Sequence, residues 1–310
     1  MPLRLDVRRI LAYAAVYILW GATYLAVRTV VLVTPPFSAA ALRFLLSGLI
    51  LLAISRYNSR HEPWPSRVEW VNSAKLGFAM FAINYACFFW AEQRLYSGTA
   101  AVVVATMPVW IFLCEWLFAR TQRLSFGIVI GSALGISGVV LLTRSGNAAA
   151  SSPAVTHVAT LVLLCGTIAW SAGSVWSRSL QLPSQQSMRS ALQMTMGGAF
   201  LIPLALAFGE GRLLVHALSQ WTAVTLLCFV YLIVASIVAF TAYVWLLHHE
   251  PAGRVASYAY VNPLVAIALG AGLGHERFGP TQILGAGLVL LGVFATLRMK
   301  ARCTTPTHER

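Results

Sequence analysis

WAEQRLYSGTAAVVVATMP, residues 90–108, and WLLHHEPAGRVASYAYVNP, residues 245–263, share one frame. It reads W-x7-G-x9-P, carried by Trp90, Gly98 and Pro108 in the first stretch and by Trp245, Gly253 and Pro263 in the second. Further along, Gly131 and Gly138 are spaced as Gly285 and Gly292 are, and upstream Trp20 has its counterpart in Trp170. The chain therefore reads as two related halves.

Each stretch enters an apolar run, and such runs fill the chain. A membrane span needs about 20 mostly apolar residues. Runs of that kind cover 10–30, 36–54, 71–90, 98–118 and 124–142, and then 158–179, 188–208, 221–247, 252–273 and 280–297. The polar stretch around 144–156 separates the two sets, which gives a first repeat over 1–143, a linker, a second repeat over 157–298 and a tail from 299. Five spans is an odd number, so the second unit must enter the bilayer upside down relative to the first. Inverted repeats of this kind mark secondary transporters, whose substrate sits near the midplane between the repeats. Duplication in a purely structural membrane protein is the alternative. The expected fold class is an all-α integral membrane protein, ten helices in two inverted five-helix repeats around a central cavity.

Composition points the same way. Of 310 residues 58% are hydrophobic and 10% charged, with a mean hydropathy of +0.74, where soluble domains carry roughly 25% charged residues. The net charge of +13 would suggest nucleic acid in a soluble protein, but here the basic residues flank apolar runs. With the N-terminus inside, only Arg28, Arg94, Arg144, Arg212 and Arg277 fall in outer segments and Arg43 within a span; the rest of the 22 Lys and Arg are cytoplasmic. That asymmetry sets both termini in the cytoplasm, and nucleic-acid binding is not expected. Arg4, Arg8 and Arg9 precede a first run too long for a signal peptide, so an uncleaved first span is expected. Cys87, Cys114, Cys165, Cys228 and Cys303 form no CxxC pair, so no disulfide framework, metal site or cofactor is expected.

Depth selects candidate site residues. Trp20 lies ten residues into the first run, about 15 Å at 1.5 Å per residue, near the middle of the bilayer and away from the interfacial aromatic belts. Trp170 is equally deep; Tyr24 and Ser174 lie one turn beyond the two tryptophans. These residues are expected to line a cavity and stack on substrate, with helix packing as the alternative. Pro108 and Pro263 are similarly deep and should kink their helices, freeing the carbonyls of Val104 and Ala259. Thr106, Tyr258, Tyr260 and Asn262 cluster beside those kinks as substrate contacts or inter-helix clamps. Arg43 sits seven residues into the second run. It is expected to brace helix ends through their carbonyls, with pairing to a substrate carboxylate as the alternative. Of the nine acids only Glu115 lies within a span, near its cytoplasmic end beside Arg120. Without a mid-depth carboxylate, proton-coupled cation export is disfavoured. Gly127, Gly131 and Gly135 form a close-packing face.

The stretches YILWGATY (17–24), ALRF (41–44), SGTAA (97–101), Met107-Pro108, SYAYVNP (257–263) and GHER (274–277) together resemble the EamA family of the drug/metabolite transporter superfamily over nearly the whole chain. The resemblance implies ten helices in two inverted repeats, cytoplasmic termini, a bacterial inner-membrane location, and export of amino acids or similar metabolites. Cavity-lining helices of that family match the spans bearing Trp20, Tyr24, Tyr85, Met107, Trp170, Tyr258 and Asn262. The family's Gly-Glu-Arg after the ninth span is interrupted here by His275. The expected partners are a small-molecule substrate and membrane lipids, and the expected state is a monomer, with a dimer as the alternative. A multidrug or cationic-compound exporter is the competing function. An intramembrane enzyme is more distant: Gly131-Ser132-Ala133 faintly resembles a membrane serine-protease turn, but His157, His248, His249 and His275 all lie near span ends, so no catalytic residues are expected.

Overall fold

The computed structural model describes residues 2–60, 63–119, 126–144, 152–250, 255 and 258–303. Among these the regular elements are all helical. We label them α1 (Val7–Val31), α2 (Pro36–Asn58), α3 (Arg67–Glu92), α4 (Ser97–Phe118), α5 (Phe126–Arg144), α6 (Pro153–Ser179), α7 (Gln186–Ala207), the short α8 (Glu210–Ser219), α9 (Ala223–His249), α10 (Tyr258–Gly272) and α11 (Pro280–Cys303). Seven of them, α1–α4, α6, α7 and α9, are long and apolar enough to cross a membrane, and α10 and α11 contain shorter apolar stretches, Val261–Gly272 and Pro280–Ala295.

Burial is inverted relative to a soluble fold. Leu227 is 70% exposed and Leu206 63%, while Ser47, Ser73, Thr167 and Ser171 are wholly buried. Large apolar side chains facing out and small polar ones facing in suit a hydrocarbon solvent, where close packing and internal hydrogen bonds hold helices together. Several buried hydroxyls return to their own helix: Thr167 Oγ1 donates to the Leu163 carbonyl at 2.9 Å and Ser171 Oγ to that of Thr167 at 2.8 Å.

Several helix starts are satisfied by side chains, which suits a bilayer. Ser66 and Glu69 form a reciprocal capping box at the start of α3. Ser152 caps α6 ahead of Pro153, and Thr222 caps α9. Two caps come from distant carboxylates. Glu210 accepts from the amides of Phe37 (3.3 Å) and Ser38 (2.7 Å) at the start of α2. Glu276 accepts from Ser97 (2.9 Å) and Gly98 (3.4 Å) at the start of α4. His275 makes that reach feasible: it adopts φ 52°, a left-handed turn at the end of α10, and the Glu276 amide closes on the Gly270 carbonyl at 2.9 Å.

The helices are interrupted where the cavity lies. α1, α3 and α4 contain π-helical turns at Ala15–Leu19, Gly77–Ile83 and Glu115–Ala119, and the Leu19 carbonyl is taken up by Tyr231 Oη at 2.7 Å. At Ala105 and Thr106 α4 breaks into a turn before Met107-Pro108, as the missing proline donor requires. Pro263 lies in the second turn of α10, which stays helical through it.

Two glycine-lined contacts join the halves. A Cβ on Gly138 of α5 would stand 2.6 Å from the Gly285 carbonyl of α11, and one on Gly292 of α11 would stand 2.5 Å from the Gly131 carbonyl of α5. Likewise Gly48 of α2 abuts Thr195 of α7, while Gly198 of α7 would meet the Leu45 amide of α2 at 2.7 Å. Adding 150 to 48 and 45 gives 198 and 195, so the second contact is its own reciprocal in residue number.

Candidate functional site

A cavity of about 430 Å³ lies among α1, α2, α3, α4, α6, α7, α9 and α10, within the size range of small-ligand pockets. Of the residues singled out from sequence, Trp20, Tyr24, Arg43, Tyr85, Met107, Trp170, Ser174, Tyr258 and Asn262 all line it. Thr106 does not. Its hydroxyl turns back to the Val103 carbonyl (2.7 Å), which also accepts the Thr106 amide in the turn (3.2 Å), and accepts from Trp110 Nε1 (2.9 Å). It borders a second, almost wholly apolar cavity of about 530 Å³ with Val139, His157 and Leu161. The side chain of Tyr260 and residue Arg120 lie outside the described residues.

Arg43 corrects its expected role. It is 4% exposed and braces no helix end; its Nε donates to Ser236 Oγ at 3.0 Å, and its guanidinium carbon stands 4.9 Å from the ring centre of Phe44 and 5.6 Å from that of Tyr85. At this depth the neighbouring backbone is uninterrupted α9, whose carbonyls are already bonded, so rings and a hydroxyl receive the cation instead.

Aromatic contacts make the walls continuous. Trp20 meets Phe240 at 5.6 Å, Tyr243 at 5.3 Å and Tyr258 at 5.4 Å between ring centres. Trp170 meets Phe81 at 5.5 Å, Tyr85 at 6.1 Å and Phe240 at 6.3 Å. Phe240 thus joins the two tryptophans, in the edge-to-face geometries aromatic pairs prefer. Phe240, Tyr243, Phe44, Phe88 and Gln193 line the cavity without having been picked out from sequence. A signal existed. Residues 150 apart in the first two helices of each half, and 155 apart in the next two, occupy matching places on the wall: Trp20 and Trp170, Tyr24 and Ser174, Arg43 and Gln193, Tyr85 and Phe240, Phe88 and Tyr243, Met107 and Asn262. Extending the spacing of Trp20–Trp170 and Trp90–Trp245 along each run would have found them.

The two ends of the cavity differ. Its lining runs out to Ser177, Leu182, Gln186 and Arg189 around the α6–α7 connection. There Arg178 pairs with Glu115 at 2.6 Å, and the Arg178 side chain is 65% exposed. At the other end Arg28 pairs with Glu276 at 3.3 Å, donates to the Glu92 carbonyl at 3.0 Å and to that of Leu95, and lies 5.2 Å from the ring centre of Tyr96. Arg28, Glu92, Leu95 and Glu276 are buried, and none of them reaches the cavity lining. The Glu92 carboxylate is fully buried with neither oxygen hydrogen-bonded. Arg28, which the charge count assigns to the outer segments, lies in the last turn of α1.

The sequence model described as "EamA-like transporter family" matches residues 8–144 and 157–298. The chain is 34% identical over 284 residues to the "Uncharacterized inner membrane transporter YedA" of Escherichia coli (strain K12), covering 91% of this chain and 88% of that protein. It is 24% identical over 287 residues to a "Probable amino-acid metabolite efflux pump" of the same strain, covering 90% of this chain and 91% of the pump. A solved structure, 20% identical, superposes with a TM-score of 0.63 over 96% of this chain and 99% of that one, a likeness of fold alone.

Proposed function

Because this chain belongs to the EamA-like transporter family, we propose that it exports small metabolites, foremost amino acids of aromatic, hydrophobic or threonine-like kind, by facilitated alternating access through the central cavity. The observation that carries this reading is the one-ended cavity: its lining runs out beside Arg178, whose exposed guanidinium meets Glu115, while the buried Arg28–Glu276 pair lies beyond its other end. With the basic loops inside, the accessible end faces the cytoplasm, from which an exporter loads. Ten spans in two inverted repeats, with both termini cytoplasmic in a bacterial inner membrane, fit the reciprocal glycine contacts and the paired wall positions. Rocking of one repeat against the other would release the Arg28 clasp and tighten the Arg178 clasp. The relative called an amino-acid metabolite efflux pump favours amino acids as cargo. Export of cationic drugs is disfavoured, since the lining contains Arg43 and Arg189 and no Asp or Glu.

The test is uptake of a panel of labelled amino acids into liposomes holding the purified protein, with and without a pH gradient. Selective uptake indifferent to the gradient is the expected result. No uptake of any amino acid, beside a working control carrier, would overturn the amino-acid reading, and gradient-dependent uptake would overturn facilitation.

A further inference from the structure

Arg43 is held in the wall without a counter-charge. Its Nε bonds Ser236 Oγ, and that hydroxyl spends its own proton on the Leu232 carbonyl at 2.7 Å. The rings of Phe44, Tyr85 and Phe89 stand 4.9–5.9 Å from the guanidinium carbon. Among the described residues neither terminal nitrogen has a hydrogen-bond partner, and the ion pairs there are Arg9–Glu250, Arg28–Glu276 and Arg178–Glu115. An arginine buried in a membrane protein without a carboxylate is costly. The scaffold does not require it, because the matching place in the second half holds the neutral Gln193.

Asn262 repeats the pattern with opposite hydrogen-bonding sense. It is 5% exposed, and its Oδ1 is buried without a donor. Its match in the first half is the apolar Met107. The cavity thus offers an uncompensated pair of N–H donors from one half, an unfilled acceptor from the other, and the aromatic surface of Trp20, Phe240 and Trp170. The second arginine on the wall, Arg189, is at the rim and already donates twice to the Pro183 carbonyl, at 3.2 and 3.0 Å.

We propose that the cavity selects small organic molecules bearing one carboxylate, received on the two terminal nitrogens of Arg43, with an N–H donor where present received on Asn262 Oδ1, and that it rejects amines lacking a carboxylate. The geometry suits a guanidinium–carboxylate fork. Among the described residues lining the cavity, Arg43 is the one unpaired cation at depth, which matches a single negative charge and leaves a phosphate dianion half compensated. This rests on the transport reading above for its biological use, though binding tests it separately.

Three compounds with one phenyl body decide it: L-phenylalanine, 3-phenylpropanoate and phenethylamine, titrated at equilibrium against the purified full-length protein in detergent. The expected order has both carboxylates binding at least about tenfold more tightly than the amine. Arg43→Gln should weaken both carboxylates at least about tenfold and erase the discrimination, and Arg43→Lys should restore part of it. Should Arg43→Gln fail to fold, the order on wild type and Arg43→Lys decides alone. Phenethylamine binding as tightly as the carboxylates, neither carboxylate binding, or an unchanged order in Arg43→Gln overturns the proposal. If the order holds but liposomes show no flux of any compound, the transport reading falls and the anion site stands. If liposomes carry amines in preference, the anion site falls and transport stands.

Discussion

At one end of the bundle Arg28 lies among Glu276, two main-chain carbonyls and the Tyr96 ring, with 11% of its side chain exposed; at the other, Arg178, 150 residues later, reaches Glu115 with 65% of its side chain exposed. Both use a guanidinium on the first helix of a half and a carboxylate contributed by the opposite half. They differ in burial, and burial decides what each contributes. A buried pair locks its end because breaking it strands a charge away from water. The Arg178 guanidinium stands mostly in water while the Glu115 carboxylate it meets is 1% exposed, so this pair is screened on one side only. Positions 150 residues apart thus hold ion pairs of unequal exposure within a single conformation.

The largest expected effect separates the two ends. Arg28→Ala should cost about 3–5 kcal/mol of stability in micelles, whereas Arg178→Ala, which removes a largely solvated guanidinium from the buried Glu115 carboxylate, should cost less, about 1–3 kcal/mol; thermal unfolding of the two variants side by side measures the gap, and equal losses would erase the distinction. Next comes the cavity wall. Trp170→Ala should lower flux by about 30-fold or more, the roughly 2 kcal/mol expected of a buried aromatic anchor, while expression and unfolding temperature stay near wild type. Normal flux would remove Trp170 from the site. The smallest effect sharpens the comparison of halves: Asn262→Ala should weaken binding of a transported amino acid by about 1–2 kcal/mol, and Met107→Ala should leave its polar recognition unchanged. A collapse of folding in Asn262→Ala would make Asn262 a helix clamp.

Much of this was legible in the sequence, for a physical reason. Lipid forces the chain into helices of fixed rise, so counting residues from the start of a run gives depth, and the count put Trp20 and Trp170 on the cavity wall. The W-x7-G-x9-P frame carried the repeat because close backbone approach and a proline break tolerate few residue types. What counting could not give was rotation about the helix axis and pairing across long separations. Thr106 had the right depth and the wrong direction, since the turn beside Pro108 drew its hydroxyl back to Val103. Arg43 had the right depth and the wrong partner. Arg28 and Glu276, 248 residues apart, belong to no common period, and no local pattern announces their meeting. Glu276 reaches Ser97 and Gly98 through the left-handed turn at His275, the very residue that interrupts the expected Gly-Glu-Arg.

The central claim is that the cavity is accessible from one side at a time, and thiol labelling measures that directly. In a background freed of the five native cysteines, Gln186→Cys marks the accessible end and Leu95→Cys the sealed one. A membrane-impermeant maleimide should modify Gln186→Cys from the cytoplasmic side and spare Leu95→Cys from both. Addition of a transported amino acid should then slow the first reaction and expose Leu95→Cys to the outside. Simultaneous labelling of both positions in the same molecule, or labelling of Leu95→Cys with Gln186→Cys protected in the absence of substrate, would contradict the account.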